Sequence, residues 1–147
     1  MDLKNTRGLT LIELVIAIAV MAIIALIAIP SYQSSLVKSR RGDAMGALSQ
    51  FATAMERYHT EHYSYTGAAT GGQNTGTPTI FPSKVPVDGA KTYYNLTITA
   101  ASKKAFTLRA TPVDSQAEDG YLEIDSTGLR RWDKNNNTTI ESSELEW

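Results

Sequence analysis

From Leu9 to Ile29 every position is apolar except Thr10 and Glu13. At 1.5 Å of rise per helical residue, this run of about 21 positions reaches roughly 30 Å, the depth of a bilayer's hydrocarbon core. The pattern predicts one long helix from about Thr10 to about His62. Its second half turns polar but keeps helical spacing. Ala44, Met45, Leu48, Phe51, Ala52, Met55 and Tyr58 recur at steps of three and four, while Lys38, Arg40, Arg41, Asp43, Glu56 and Arg57 lie mostly off that stripe. Pro30 removes a donor from the hydrogen-bond ladder and is expected to kink or loosen the helix. Gly42 and Gly46 each lower helix propensity by up to ~1 kcal/mol relative to Ala, or else permit close packing.

The period then changes. Residues 63–90 are rich in Gly, Thr, Ser and Pro, including Gly71-Gly72 and Gly76, which reads as a long loop with little core. A loop of that length is more often functional than idle. Tyr94, Leu96, Ile98 and Ala100 alternate with Tyr93, Asn95, Thr97 and Thr99 as a strand does. Ser102-Lys103-Lys104 turns the chain, and Phe106, Leu108 and Ala110 alternate again up to Pro112. Leu122 and Ile124 mark a third strand, Ser126-Thr127-Gly128 a turn, and Leu129 to Trp132 a short fourth. The expected fold is α+β: a long N-terminal α-helix packed on a four-stranded antiparallel β-sheet, whose apolar face covers the Met45–Met55 stripe.

A length of 147 residues suits one compact domain behind the N-terminal helix. The net charge of −1 gives no global reason to expect nucleic acid or an acidic partner. There is no cysteine, so no disulfide can staple the C-terminal region.

Glu13 is the anomaly in the apolar run. A carboxylate at that depth costs ~2.5–3.5 kcal/mol on insertion scales, so it should have a partner. A secretory signal ends its short apolar core with a small-residue cleavage site. Here the run is long and leads into Pro30-Ser31-Tyr32, and the punctuation lies before it, at Gly8. The stretch Lys4, Arg7, Gly8, Leu9, Thr10, Leu11, Glu13 and Pro30 resembles the class III signal of type IV pilins and pseudopilins. Leu9 departs from it, standing where that family most often has Phe.

The resemblance divides the chain into a leader (1–8), a membrane and polymerisation helix (9–30) and a periplasmic head (31–147). The head comprises a helix half (31–62), a loop (63–90) and the sheet with the C-terminal region (91–147). It further implies that a prepilin peptidase cuts between Gly8 and Leu9 and methylates the Leu9 amine. Lys4 and Arg7 would hold the leader in the cytoplasm. Glu13 would pair with the Leu9 amine of a neighbouring subunit during assembly, and Pro30 belongs to the same assembly segment. A buried carboxylate is tolerable once a cation neutralises it. Implied partners are further copies and other pilins, the inner-membrane assembly machinery, and lipid before assembly. The head would face the periplasm before assembly and the exterior in the pilus.

Residues from Lys38 to Tyr65, notably Ser39-Arg40-Arg41, Glu56-Arg57-Tyr58 and Tyr63-Ser64-Tyr65, are similar to type IVa pilins of the PilE-like kind. Those commonly carry Cys-Gly before the third strand, and here Asp119-Gly120 stands there. The implied function is that of a major or minor structural subunit of a surface fibre serving adhesion, twitching motility or DNA uptake. The alternative is a major pseudopilin of type II secretion. No nucleophile–base set, phosphate loop or cofactor motif appears, which argues against a membrane-anchored enzyme.

The segment from Asp133 to Glu144 has the spacing of an EF-hand loop. Asp133, Asn135 and Asn137 fall at the first, third and fifth places, a Thr139 carbonyl at the seventh, Glu141 at the ninth (through water) and Glu144 at the twelfth. Calcium, a hard ion wanting six to eight oxygens, suits that set. Thr138 sits where a Gly normally makes the sharp turn, and is strained there if φ is positive. With two carboxylates and two amides, an affinity of ~10⁻⁴–10⁻³ M is expected. The other reading is an Asn-rich turn into a helical turn, with Thr138 and Glu141 as a capping box.

Weaker signals remain. His59 and His62 lie near Glu61 but lack a third metal ligand. The pairs Lys103-Lys104 and Arg130-Arg131 suit either nucleic-acid phosphates or a solvated surface.

Overall fold

The computed structural model describes residues 10–145 and 147. Gly8 and Leu9, the expected cleavage and methylation positions, lie outside the described residues. The helix α1 spans Leu11–His62, 52 residues, and runs through Pro30. It stops at Tyr63, which takes the left-handed conformation (φ 55°) and donates its N–H to the His59 carbonyl at 2.7 Å. That closes a helix end in the manner usually given to Gly.

The chain divides into two compact units, Met1–Leu36 and Val37–Trp147. In the first, the described helical residues leave their apolar side chains exposed: Leu11 is 81% exposed, and Ile16, Val20 and Ile24 are each at least half exposed. Neighbouring turns of a single helix do not hide such a surface.

The second unit packs the rest of α1 against five antiparallel strands in simple sequence order. These are β1 (Lys84–Val85), β2 (Tyr94–Ala101), β3 (Phe106–Pro112), β4 (Leu122–Asp125) and β5 (Arg130–Trp132). The α+β reading stands, with one strand more than the four expected. The extra strand, β1, sits between Pro82 and Pro86 and pairs Lys84 with Asn95 and Val85 with Tyr94. Two residues are too few to display a period of two, which is why alternation does not reveal it.

The segment 63–90 is also less empty than its composition suggests. Tyr65, Ala68, Ala69 and Val85 are core residues. Backbone bonds from Thr79 to Ala68 (2.9 Å) and from Thr70 to Thr77 (2.8 Å) hold it closed. Small side chains let this backbone lie close to the core, so little hydrophobicity is needed to bury it.

Ala44, Leu48, Phe51 and Met55 from α1 meet Tyr94, Leu96, Ile98, Phe106, Leu108, Ala110, Leu122 and Ile124 from the sheet. Gly42 and Gly46 are exposed, and a β-carbon at either would meet nothing within 4 Å in the chain. The alternation in β2 holds through Ile98 and then fails: a register shift lies between Ile98 and Ala100, and Ala100 is exposed rather than inward. An irregularity of this kind flips the faces of the residues beyond it.

Two single-residue bridges extend the sheet. Gly76 bridges Ile98 beside β1, and Leu145 bridges Arg131 on the far edge.

Candidate functional site

Thr10 and Glu13 form a reciprocal cap at the start of α1. The Glu13 carboxylate accepts from the Thr10 N–H and hydroxyl, each at 2.8 Å, while the Glu13 N–H donates to the Thr10 hydroxyl oxygen at 3.3 Å. This is the capping-box arrangement, which satisfies helix donors that have no intrahelical acceptor. Glu13 therefore has a partner within its own subunit, and it remains exposed. An incoming cation can reach it. Pro30 is exposed as well, on a helix surface formed with Ala25, Leu26 and Ile29.

Asp119, which stands where the resemblance places a cysteine, gathers four elements of the second unit. Its carboxylate pairs with Arg41 of α1 at 3.0 Å and accepts from the Tyr94 hydroxyl of β2. It also accepts from the Gln116 amide at 3.1 Å, within a 3-10 helix over Asp114–Asp119. The Asp119 carbonyl accepts from the Trp132 indole N–H of β5 at 2.7 Å. Arg41 stacks its guanidinium over the Trp132 ring at 3.8 Å. Burial, reinforced by the bond to Asp119, pushes the Tyr94 hydroxyl well above its ordinary pKa, so it stays protonated as a donor. Sequence reasoning missed this cluster, because Arg41 and Asp119 are 78 positions apart and nothing local to either points to the other.

The next residue, Gly120, is confined by geometry. Its φ is 73°, and a β-carbon there would lie 1.8 Å from the Asp133 carbonyl oxygen. The close approach fixes the start of the C-terminal loop, whose first residue also donates its N–H to the Tyr121 carbonyl at 3.0 Å.

In that loop Asp133 is fully buried and Glu144 nearly so. The Asp133 carboxylate accepts from the N–H groups of Asn137 (3.0 Å) and Thr138 (2.9 Å). Glu144 accepts from those of Asn135 (3.2 Å) and Glu141 (3.0 Å). Asn137 turns the chain by accepting from the Thr139 N–H at 2.8 Å. Thr138 has φ 68°, the left-handed geometry that a Gly would adopt freely. The Asn-rich turn is present and a turn closes from the Glu144 N–H to the Glu141 carbonyl (3.0 Å), but Thr138 and Glu141 do not form a capping box: Glu141 accepts from the Asn135 (3.4 Å) and Asn137 (3.0 Å) side-chain amides. Among the described residues there is no cluster of three or more His, Cys, Asp or Glu side chains placed to hold a metal. Any cation here would depend on the Asn amides and carbonyls as well.

His59 and His62 are occupied by stacking, on Tyr65 (4.3 Å) and Tyr58 (4.0 Å) respectively. Lys103 and Lys104 are exposed in the β2–β3 hairpin. The second basic pair divides. Arg130 is exposed and lies over Trp147 at 5.0 Å, whereas Arg131 is drawn to Glu123 (3.5 Å) and Asp125 (3.3 Å). Cross-strand register puts Arg109, Glu123 and Arg131 in one row, so Arg131 belongs to a sheet ladder.

Comparison with known proteins locates the two regions in one family. Residues 3–29 match the prokaryotic N-terminal methylation motif, and residues 30–120 match the family described as type IV minor pilin ComP, DNA uptake sequence receptor. Among curated relatives, the type IV major fimbrial protein FimA of Dichelobacter nodosus is 44% identical over 50 residues, 34% of this chain and 32% of that one. Prepilin peptidase-dependent protein D of Escherichia coli (strain K12) is 38% identical over 60 residues, 41% of each chain. A fimbrial protein of Pseudomonas aeruginosa is 37% identical over 68 residues, 46% of this chain and 44% of that one. The chain thus spans between about a third and under half of the length of these relatives. The crystal structure of the Neisseria meningitidis non-core minor pilin PilV superposes with a TM-score of 0.50 over 74% of this chain and 97% of that one; at 19% identity the likeness is one of fold. With a family match across more than half of its length and the methylation motif ahead of it, the chain belongs to the type IV pilins.

Proposed function

We propose that this protein is a structural subunit of a type IV pilus, inserted in the inner membrane with its head in the periplasm and then drawn into a surface fibre through α1. The observation that carries the proposal is the exposed apolar helix from Leu11 to Ile29, headed by Thr10 and Glu13 within a prepilin methylation motif. An apolar surface of this extent is stable in lipid before assembly and against other helices after it. Prepilin peptidase would release the Leu9 amine, and Glu13 would exchange its Thr10 hydrogen bonds for the amine of an adjacent subunit. Only one stagger of neighbouring helices meets both charges, so the pair would also set register.

Of the three uses considered for the fibre, DNA uptake has the most support, since the matched family is described as a DNA uptake sequence receptor. The exposed Lys103, Lys104 and Arg130 suit phosphate contacts, which position a protein on DNA without reading bases. The test has two arms. Glu13→Gln should abolish incorporation into sheared surface fibres, as read by mass spectrometry, while the head stays folded. Lys103→Ala with Lys104→Ala should keep fibres but reduce transformation by exogenous DNA. Intact fibres with lost exoprotein secretion on gene deletion would favour the pseudopilin alternative instead.

A further inference from the structure

We propose that the loop from Asp133 to Glu144 is a calcium site, closing the C-terminal region onto the Gly120–Tyr121 backbone. Two independent observations support it. The first is ligand spacing: oxygen-bearing groups occur at Asp133, Asn135, Asn137, Thr139, Glu141 and Glu144, the first, third, fifth, seventh, ninth and twelfth places of a calcium loop. The second is uncompensated charge. Asp133 is 0% and Glu144 8% exposed, yet among the described residues neither forms an ion pair with Lys, Arg or His. Backbone N–H groups satisfy their hydrogen bonding but do not cancel two buried negative charges in one small loop. A cation does.

The chemistry selects the ion. Carboxylate, amide and carbonyl oxygens are hard ligands, and there is no sulfur or imidazole in the set. Calcium accepts six to eight of them in irregular geometry, whereas magnesium demands a near-ideal octahedron and keeps its waters. The backbone already turns at Thr138 with positive φ, as this loop type requires at its sixth place. Thr138 lowers the affinity rather than forbidding the turn, because a β-branched residue is strained there. The Asp133 N–H bond to the Tyr121 carbonyl and the Trp132 N–H bond to the Glu144 carbonyl (3.1 Å) would transmit ion binding to β5 and to the segment before β4.

The test uses the full chain in detergent micelles, stripped with EDTA and titrated in parallel with CaCl₂ and MgCl₂. Thermal unfolding and the fluorescence of Trp132 and Trp147 are the readouts. Calcium should half-saturate at roughly 10⁻⁴–10⁻³ M and raise Tm by roughly 4–8 °C at tenfold excess over Kd. Glu144→Gln should lose the response, while Glu118→Gln, exposed in the 3-10 helix, should retain it. Thr138→Gly should bind calcium several-fold more tightly, which keeps the proposal testable if Glu144→Gln does not fold. No calcium response up to about 10 mM, an equal magnesium response, a wild-type response from Glu144→Gln, or unchanged affinity in Thr138→Gly would overturn it. None of these readouts involves fibres, so failure here leaves the pilus reading untouched, and the converse holds.

Discussion

Arg41 and Asp119 form a part-buried ion pair at 3.0 Å, their side chains 14% and 6% exposed. The pair ties α1 to the segment before β4, in a chain that has no disulfide to do so. Removing one member leaves the other buried without a partner, which costs far more than the pair contributes net. Asp119→Ala should therefore lower stability by about 3–5 kcal/mol in urea unfolding. Arg41→Met combined with Asp119→Leu should cost less than the sum of the single variants, because no lone charge remains.

Gly120 offers a sharper test of the same junction. Gly120→Ala must place a methyl group where the Asp133 carbonyl oxygen stands, at a φ that L-residues rarely adopt. Backbone has to move, and the expected loss exceeds about 3 kcal/mol, beyond the usual range for a surface substitution. A red-shifted Trp132 emission would report the opened junction; an unchanged unfolding curve would contradict the geometry described.

Much of the fold is legible along the chain because α1 and β2 to β4 carry long, regular periods ending in turn residues. The core stripe from Ala44 to Met55 and the inward row of β3 are both found this way. What escapes is non-local. Nothing near Asp119 announces Arg41 or Trp132. A two-residue β1 has no period, and the irregularity after Ile98 sends Ala100 outward despite flawless alternation in sequence. At the candidate sites, Glu13 reads in sequence only as a charge awaiting another subunit, and its cap with Thr10 emerges from the structure although the two lie three positions apart. Arg131 is misleading beside Arg130, since only strand register shows that it answers Glu123 and Asp125.

At the helix start, the two capping residues should separate by assay. Thr10→Ala removes the hydroxyl that receives the Glu13 N–H, a loss of ~1 kcal/mol for a typical cap. Amide exchange over residues 11–14 should rise about fivefold in micelles, while fibre incorporation persists. Glu13→Gln should show the reverse emphasis: a modest change in exchange and no incorporation.

Acid sensitivity should reside partly in Asp125. Burial opposes its charge, but bonds from the Thr127 hydroxyl and N–H, the Leu129 N–H and the nearby Arg131 outweigh that and hold the carboxyl below its ordinary value of 3.8. A folded-state pKa below the unfolded one adds stability that is fully present above the unfolded value and lost as pH falls through the folded value. Thermal unfolding of the wild type should therefore steepen its decline below about pH 4, and Asp125→Asn should flatten that part of the profile. An unaltered slope would assign the acid transition to other carboxylates.

The bridges at Gly76 and Leu145 have a consequence for crowded subunits. In the fibre proposed above, such domains would sit at concentrations that invite strand exchange and amyloid-like stacking. Leu145 takes part of the outer side of β5, and β1 offers only two residues before Pro86, so the head presents little free ladder on which a foreign strand could seed.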